Sequence, residues 1–197
     1  KRRILAEILT PDLCVIGAGL AGLSAVAAAR ALGASVVVVE RGRLGGDYLN
    51  AGVVPSRAMA AVAAHAQAVR SGAALGISAD EPRINTRRVH DYVLGVVAGL
   101  AVNDAEARLE ALGAQLVKAA GRFIDHRTLA ASEYEIRARR FILATGARSV
   151  VPAVTGLDAV PFFTSETIFD NTRKLTHLAI LGGGPAGYVC AIRAAQL

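Results

Sequence analysis

The chain has 197 residues, of which 53% are hydrophobic, and it carries a formal net charge of +6. This length suits one domain, or one domain and the beginning of another. The charge comes from scattered arginines without a basic patch interleaved with aromatic residues, so we expect no nucleic-acid partner. The uncharged stretch from Leu13 to Ala29 is interrupted by glycines, so we expect no membrane span either.

The two cysteines, Cys14 and Cys190, lie far apart in apolar runs. Neither has a partner at C-x2-C or C-x4-C spacing, so the pattern indicates neither a redox pair nor a zinc site. The histidines are dispersed as well, at His65, His90, His126 and His177. We therefore expect no metal, and the lack of a disulfide framework and of a secretory signal favours the cytoplasm.

The first elements in chain order form a βαβ pattern. The run "DLCVIGAG" is apolar and stopped by glycines, which is typical of a strand buried on both faces of a parallel sheet. The next run, "LAGLSAVAAARALGA", has the composition of a helix and ends in a glycine, and "SVVVVE" is a second strand rich in β-branched residues. One βαβ unit is therefore predicted at the start of the chain.

The later elements are shorter and more varied. Pro55 suits the first turn of an alanine-rich helix that reaches about Val69. Residues 87–112 have a helical pattern with a break near Asn103 and Asp104. The runs "QLVKAA", "GRFID", "TLAA", "YEIRA" and "RFILATG" within residues 115–144 predict a small antiparallel meander that returns to the main sheet.

The last segment repeats the beginning of the pattern. Residues 178–181 predict a strand, followed by a second glycine loop and the start of a helix. The predicted fold class is α/β: a doubly wound Rossmann-like domain with a small antiparallel β-meander, plus the beginning of a second Rossmann unit. We expect a nucleotide-binding domain at 1–150, an interdomain crossover at 151–176, and a truncated second nucleotide-binding domain at 177–197.

The first glycine loop carries the clearest chemistry. Gly17, Gly19 and Gly22 form G-x-G-x-x-G directly after a strand and at the opening of a helix. The first glycine permits a tight turn, the second lets the backbone approach a pyrophosphate, and the third lets helix and strand pack closely. Glu40 ends the second strand, where a carboxylate would accept hydrogen bonds from a ribose without a 2′-phosphate. The loop therefore predicts dinucleotide binding, which a bulkier residue at position 19 should abolish.

Four stretches carry a family resemblance: "DLCVIGAGLAGLSAVAAARALGASVVVVE", "GGDYLNAGVVPSRAM", "RRFILATGARSVVP" and "LAILGGGPAG". Their order and spacing resemble the pyridine nucleotide-disulfide oxidoreductases, most closely the mercuric-reductase-like members. The resemblance implies FAD as the cofactor of the first glycine loop. It implies cofactor contacts from Gly17, Gly19, Gly22, Glu40, Gly45, Gly46, Asp47, Arg57, Gly121, Thr145 and Gly146. Arg57 stands where the family usually has a lysine, so the positive charge is kept with a different geometry.

The second glycine loop, formed by Gly182, Gly184 and Gly187, stands where the family binds NAD(P)H. The residues after it resemble the helix that follows an FAD loop, and Val189 occupies a position where many members carry a glutamate. We therefore expect NAD(P)H binding in a longer parent chain and not in this chain by itself. A homodimer is expected only where the family's C-terminal domain is present.

The resemblance also shows a departure. The family carries two cysteines in a C-x4-C spacing, and hydride passes from a nicotinamide to FAD, to the disulfide and then to a substrate. Tyr48 and Val53 stand at those two positions and cannot form a disulfide. Either both are filler in a decayed site, or Tyr48 has acquired a new task.

Three hypotheses remain open from the sequence. The first is an FAD-dependent oxidoreductase whose longer parent passes hydride to an unidentified small-molecule acceptor other than a dithiol, with this chain alone inactive. The second is a flavin-binding pseudoenzyme. The third is a bare nucleotide-binding module without flavin.

Overall fold

The computed structural model describes residues 7–101 and 106–197. Two compact units make up the chain: residues 1–50 with 99–148, and residues 51–98 with 149–197. The predicted helix break near Asn103 and Asp104 lies outside the described residues. The predicted domain limits at residues 150 and 176 stay a prediction.

The strands are short and all belong to the first unit. They are β1 (Glu7–Leu9), β2 (Leu13–Ile16), β3 (Val36–Glu40), β4 (Gln115–Lys118), β5 (Arg122–Phe123), β6 (Leu129–Ala131), β7 (Tyr134–Ile136) and β8 (Arg140–Leu143). The helices are α1 (Leu20–Ala31), α2 (Gly46–Asn50), α3 (Val53–Ser71), α4 (Thr86–Ala101), α5 (Glu106–Ala111) and α6 (Pro185–Ala195).

The centre of the first unit is a parallel sheet with the order β4-β3-β2-β8. Strand β2 pairs with β3 and β8, so Ile16 lies opposite Val39 on one side and Leu143 on the other. Helix α1 connects β2 to β3, which is the predicted βαβ unit. The α/β fold class with a Rossmann-like parallel sheet is therefore confirmed.

The parallel sheet is covered on both faces. Alternate side chains of a strand point to opposite faces, so Val36 and Val38 pack with Val26 of α1 and Leu109 of α5. Val37 and Val39 pack instead with β6 and β7. This two-sided burial explains why "SVVVVE" is apolar at consecutive positions.

The second face is covered by a four-stranded sheet with the order β1-β7-β6-β5. Strands β5, β6 and β7 are antiparallel, which confirms the predicted meander. The assignment of "QLVKAA" to that meander was wrong, because β4 pairs in parallel with β3 in the main sheet. Strand β1 was not predicted, and it pairs in parallel with β7.

The second unit contains α3, most of α4, and α6, with 3-10 turns at Gly72–Leu75, Leu157–Ala159 and Ile168–Asp170. Arg70 of α3 donates hydrogen bonds to the Gln196 carbonyl at 2.6 Å and to Glu81 at 2.7 Å. The predicted strand at residues 178–181 was wrong: these residues pair with no strand in the described part of the chain. An apolar run forms a strand only where a neighbour accepts and donates its ladder hydrogen bonds. None of the helices in the described ranges is both long and apolar enough to cross a membrane.

Candidate functional site

The first glycine loop leaves β2 between its two neighbours, β3 and β8. The Gly17 nitrogen donates to the Val39 carbonyl, and the Ala144 nitrogen donates to the Ile16 carbonyl, both at 2.8 Å. The strand order β4-β3-β2-β8 runs in opposite directions on the two sides of β2. In open α/β sheets, ligands bind at such a switch point, outside the carboxyl ends of the strands. The loop therefore occupies the expected ligand edge of the sheet.

Two glycines of this loop are required by the fold itself. Gly17 has a φ of +107°, and a Cβ there would lie 2.2 Å from the Ala144 carbonyl oxygen. Gly22 is buried in α1, and a Cβ there would lie 1.9 Å from the Gly17 carbonyl oxygen. Both distances are far below van der Waals contact, so a larger side chain at either position would displace the backbone.

Gly19 differs from both. Its φ is −77°, which any residue adopts, and a Cβ there would meet only the Cα of Gly46 at 3.8 Å. The chain's own packing therefore does not require a glycine at position 19. Gly19 is also the N-cap of α1, whose first turn has no side-chain cap among the described residues. Free N–H groups and the positive end of the helix dipole thus surround an open approach to the backbone.

Glu40 is attached to the glycine loop. Its Oε2 accepts a hydrogen bond from the Ala18 nitrogen and its Oε1 accepts one from the Gly42 nitrogen, each at 2.7 Å. The side chain is half-buried at the carboxyl end of β3. The two backbone donors fix the carboxylate beside the loop, and the remaining lone pairs can accept further hydrogen bonds.

The segment after β3 lies along the glycine loop. The Gly45 nitrogen donates to the Ala18 carbonyl at 2.8 Å, and a Cβ on Gly46 would lie 2.9 Å from the Cα of Gly19. This close approach of the two backbones therefore requires a glycine at position 46. Asp47 follows on α2 with an exposed side chain.

The other predicted residues of the first unit follow the ends of β8 and β4. Thr145 and Gly146 come just after β8, and both are exposed, with a φ of +72° at Gly146. Gly121 comes after β4, and a Cβ there would lie 3.1 Å from the Leu129 side chain. The carboxyl ends of parallel strands meet at one edge, so these residues share the edge of the sheet with Gly17.

The partners of this site that sequence reasoning missed are backbone atoms. Ala18, Gly42 and Ala144 each contribute a nitrogen or a carbonyl oxygen to the geometry described above. Side-chain chemistry gives no signal for such roles. Only their positions close to the motif residues in the sequence could have indicated these backbone roles.

Arg57 and the second glycine loop belong to the second unit. Arg57 is exposed on α3. In the second loop Gly182 has a φ of +121°, and a Cβ on Gly187 would lie 2.1 Å from the Gly182 carbonyl oxygen. Gly184 is the N-cap of α6 without a side-chain cap, as Gly19 is for α1. The second loop thus has the backbone form of the first, but no described atom lies within 4 Å of a Cβ on Gly182.

Tyr48 and Val53 are the residues at which the family resemblance predicts the two redox cysteines. Tyr48 on α2 and Val53 on α3 are each 40% exposed. Cys14 is fully buried on β2, and burial raises the pKa of its thiol to about 12. Cys190 is a free, half-buried thiol on α6. Within the described ranges no cluster of three His, Cys, Asp or Glu residues could hold a metal ion.

Comparisons with known proteins identify the family that the chain resembles. A model of the family described as pyridine nucleotide-disulphide oxidoreductase matches residues 11–197. The chain is 34% identical over 185 residues to a mercuric reductase of Streptomyces lividans, covering 89% of this chain and 38% of that protein. It is 30% identical over 188 residues to a dihydrolipoyl dehydrogenase of Geobacillus stearothermophilus, with coverage of 89% and 38%.

A solved structure has a similar fold. The HOCl-induced flavoprotein disulfide reductase RclA from Escherichia coli matches with a TM-score of 0.78 and 23% sequence identity. The match covers 94% of this chain and 40% of that chain. The chain thus spans about two-fifths of the length of these proteins.

Proposed function

The chain belongs to the pyridine nucleotide-disulphide oxidoreductase family, and on that basis we propose that its first unit holds FAD for an oxidoreductase that works without a dithiol. Its relatives are FAD-dependent and use NAD(P)H. When bound, FAD supplies a flavin that accepts hydride from NAD(P)H and passes it to an acceptor. The described residues provide the cradle for that cofactor.

The observation that carries this proposal is the difference between Gly19 and its two neighbours in the motif. Gly17 and Gly22 are glycines because a Cβ would strike a carbonyl oxygen at 2.2 Å and 1.9 Å. Gly19 meets no such obstacle, since its nearest neighbour would be at 3.8 Å. A glycine that the fold does not need is explained by a ligand whose pyrophosphate approaches the backbone there.

The neighbouring residues suit the rest of a dinucleotide. The uncapped first turn of α1 offers N–H groups to the pyrophosphate. Glu40, fixed by Ala18 and Gly42, would accept hydrogen bonds from the adenosine ribose. A Cβ on Gly46 would lie 2.9 Å from the Cα of Gly19, so a glycine there lets this segment lie against the loop.

The test is a comparison of Gly19→Ala with Gly95→Ala. Gly95 lies on α4, and a Cβ there would meet no atom within 4 Å, so it controls for the added methyl group. After reconstitution with FAD and desalting, we expect Gly19→Ala to retain at least tenfold less flavin per chain, with an unchanged far-UV circular dichroism spectrum. Gly95→Ala should retain flavin like the unaltered chain. Equal flavin retention in both variants would defeat the FAD assignment.

The proposal that no dithiol takes part rests on the side chains of Tyr48 and Val53 and on the burial of Cys14. Neither side chain at the two redox positions can be oxidised to a disulfide. Cys14 is buried and its pKa is raised to about 12, so it supplies no thiolate at neutral pH. These facts support an acceptor other than a dithiol in a parent chain of the relatives' length.

A parent chain of that length allows a direct test. NAD(P)H-dependent reduction of a quinone should survive alkylation of all accessible thiols, because no thiol takes part in the transfer. Loss of turnover on alkylation would contradict the proposal.

A second candidate is a flavin-binding pseudoenzyme, which the combined change at Tyr48, Val53 and Val189 favours. It predicts that the FAD-loaded parent keeps its oxidised flavin spectrum when NADH or NADPH is added without oxygen. The oxidoreductase proposal predicts that the spectrum bleaches. The two hypotheses therefore give opposite outcomes in one measurement.

A further inference from the structure

A basic depression lies at the opposite end of the parallel sheet from the glycine loop. It has a volume of about 480 Å³ and is lined by His126, Arg127, Ala138, Arg139, Arg140 and Phe141. All six residues belong to the first unit. Its volume falls within the range of small-molecule sites.

This depression is distinct from the dinucleotide loop. Arg140 is the first residue of β8, whereas Ala144, just beyond the other end of that strand, contacts Gly17. Strands rise about 3.3 Å per residue, so the two places are separated by roughly 10 Å or more along β8. A ligand here would not overlap the proposed FAD cradle.

Two of the three arginines that line the depression form no ion pair within the described ranges. Arg139 donates to Asp12 at 3.1 Å, and Asp12 is also held by Ser35. Arg140 donates one N–H to the Arg139 carbonyl at 2.9 Å. The Arg127 guanidinium donates to no other group of the described ranges, and its backbone nitrogen holds Asp125. One arginine is therefore paired with a carboxylate, and two guanidinium groups have donors to spare.

We propose that this depression binds a small phosphorylated anion through Arg127 and Arg140. The planar guanidinium group offers a fork of N–H donors that matches oxyanions in a bidentate way. A phosphate group presents three acceptor oxygens and can engage two guanidinium groups together, whereas a carboxylate has only two oxygens to share. Ala138 and Phe141 form a less polar wall beside the arginines.

The surrounding structure fixes the neighbours of these two arginines. Phe141 packs edge-on against Phe123, with ring centroids 4.9 Å apart. The carboxylate of Asp12 ties Arg139, just before β8, to the start of β2. The backbones that carry Arg127 and Arg140 are held by the β5–β6 connection and by the pairing of β8 with β2, which limits the backbone ordering cost of binding.

The experiment is a titration of the chain with inorganic pyrophosphate, followed by backbone amide NMR shifts. We expect saturable shifts at residues 126–127 and 138–141, in addition to any at the glycine loop. The variant Arg127→Gln/Arg140→Gln should weaken binding at the first set at least tenfold and leave shifts at residues 17–23 unchanged. The control Arg87→Gln/Arg88→Gln removes the same charge from exposed positions on α4 and should change nothing.

Three outcomes would overturn the proposal. The first is a lack of saturable shifts at residues 126–127 and 138–141. The second is an equal loss in the control variant, which would indicate attraction to net charge alone. The third is equally tight binding of citrate at the same amides, since carboxylates would then satisfy the site as well as phosphate. None of these depends on FAD, so failure here leaves the proposed function untouched.

Discussion

The Glu40 carboxylate lies 2.7 Å from the backbone nitrogen of Ala18, so the acid that ends β3 is joined to the loop that follows β2. A second hydrogen bond of the same length runs from the Gly42 nitrogen to the other carboxylate oxygen. Each oxygen therefore already accepts one backbone hydrogen bond and keeps a second lone pair for a ligand. The predicted ribose acceptor is also a structural link between two strands.

Glu40→Gln should weaken both roles. A glutamine has one acceptor oxygen and one amide nitrogen, so one of the two backbone N–H groups loses its partner. An unpaired, partly buried donor costs about 1–3 kcal/mol, which should appear as a lower free energy of unfolding in urea. Flavin retention should fall at least tenfold, because the ribose hydroxyls lose an anionic acceptor.

Glu110→Gln provides the control for this change, since Glu110 is exposed on α5 in the same unit. It should retain flavin and stability like the unaltered chain. Unchanged flavin retention in Glu40→Gln would show that the acid is structural only.

A comparison of Gly17→Ala with Gly33→Ala separates two causes of lost stability: the strain of a positive φ, and the collision of a new Cβ with its neighbours. Both glycines have positive φ, +107° and +79° respectively. A Cβ on Gly33 meets nothing within 4 Å, so its replacement should cost only the left-handed conformation, about 1–2 kcal/mol. A Cβ on Gly17 would also collide with Ala144, so Gly17→Ala should lose about 3 kcal/mol or more. Urea unfolding followed by circular dichroism would contradict this explanation if the two losses were equal.

Much of the first unit could be predicted from its sequence because its patterns are local. Each pattern spans only a few residues: the apolar strand, the glycine loop, the helix Leu20–Ala31 that follows it and the run of four valines. They gave β2, α1 and β3 correctly. The placement of Gly17 and Glu40 at one edge of the sheet follows from that connectivity alone.

The errors occur where pairing is not local. Strand β1 has only three residues, and it forms because it pairs with Tyr134–Ile136 of β7. The two strands are more than a hundred residues apart in the sequence. The run "QLVK" resembles the meander strands but pairs with β3. Residues 178–181 have a strand's composition but no paired neighbour in the described part of the chain. In the site, the amide donors to Glu40 have no side-chain signal at all.

Asp12 should make the stability of the first unit sensitive to acid. Its carboxylate accepts hydrogen bonds from the backbone and side chain of Ser35 and from Arg139, and these lower its pKa from 3.8 to about 2. A lowered folded-state pKa stabilises the protein above pH 3.8, and this contribution disappears as the pH falls through 2. Asp12→Asn should therefore unfold more easily than the unaltered chain at pH 6, and the difference should vanish near pH 2.

Ser35→Ala should show an acid dependence of stability between those of Asp12→Asn and the unaltered chain. It removes the hydroxyl donor and keeps the backbone donor, so the acid-dependent part should shrink without disappearing. A difference between Asp12→Asn and the unaltered chain that stays constant from pH 6 to pH 2 would exclude a role for the ionised carboxylate.

Cys14 should make the stability of the first unit sensitive to alkaline pH. The side chain is fully buried against Val37, Val39 and Leu129, and desolvation raises the pKa of its thiol from 9.0 to about 12. Above pH 9 the unfolded chain releases this proton and the folded chain retains it, so the thiol's contribution to stability falls between pH 9 and pH 12. Cys14→Ala should lose less stability over that range.

The same burial predicts how the thiols react with a disulfide reagent. In the folded chain only the half-buried Cys190 should react promptly at pH 8, and both thiols should react in guanidinium chloride. Rapid reaction of two thiols in the folded chain would mean that Cys14 opens to solvent. It could then act as a redox group, and the proposal of an oxidoreductase without thiol chemistry would lose its main support in the first unit.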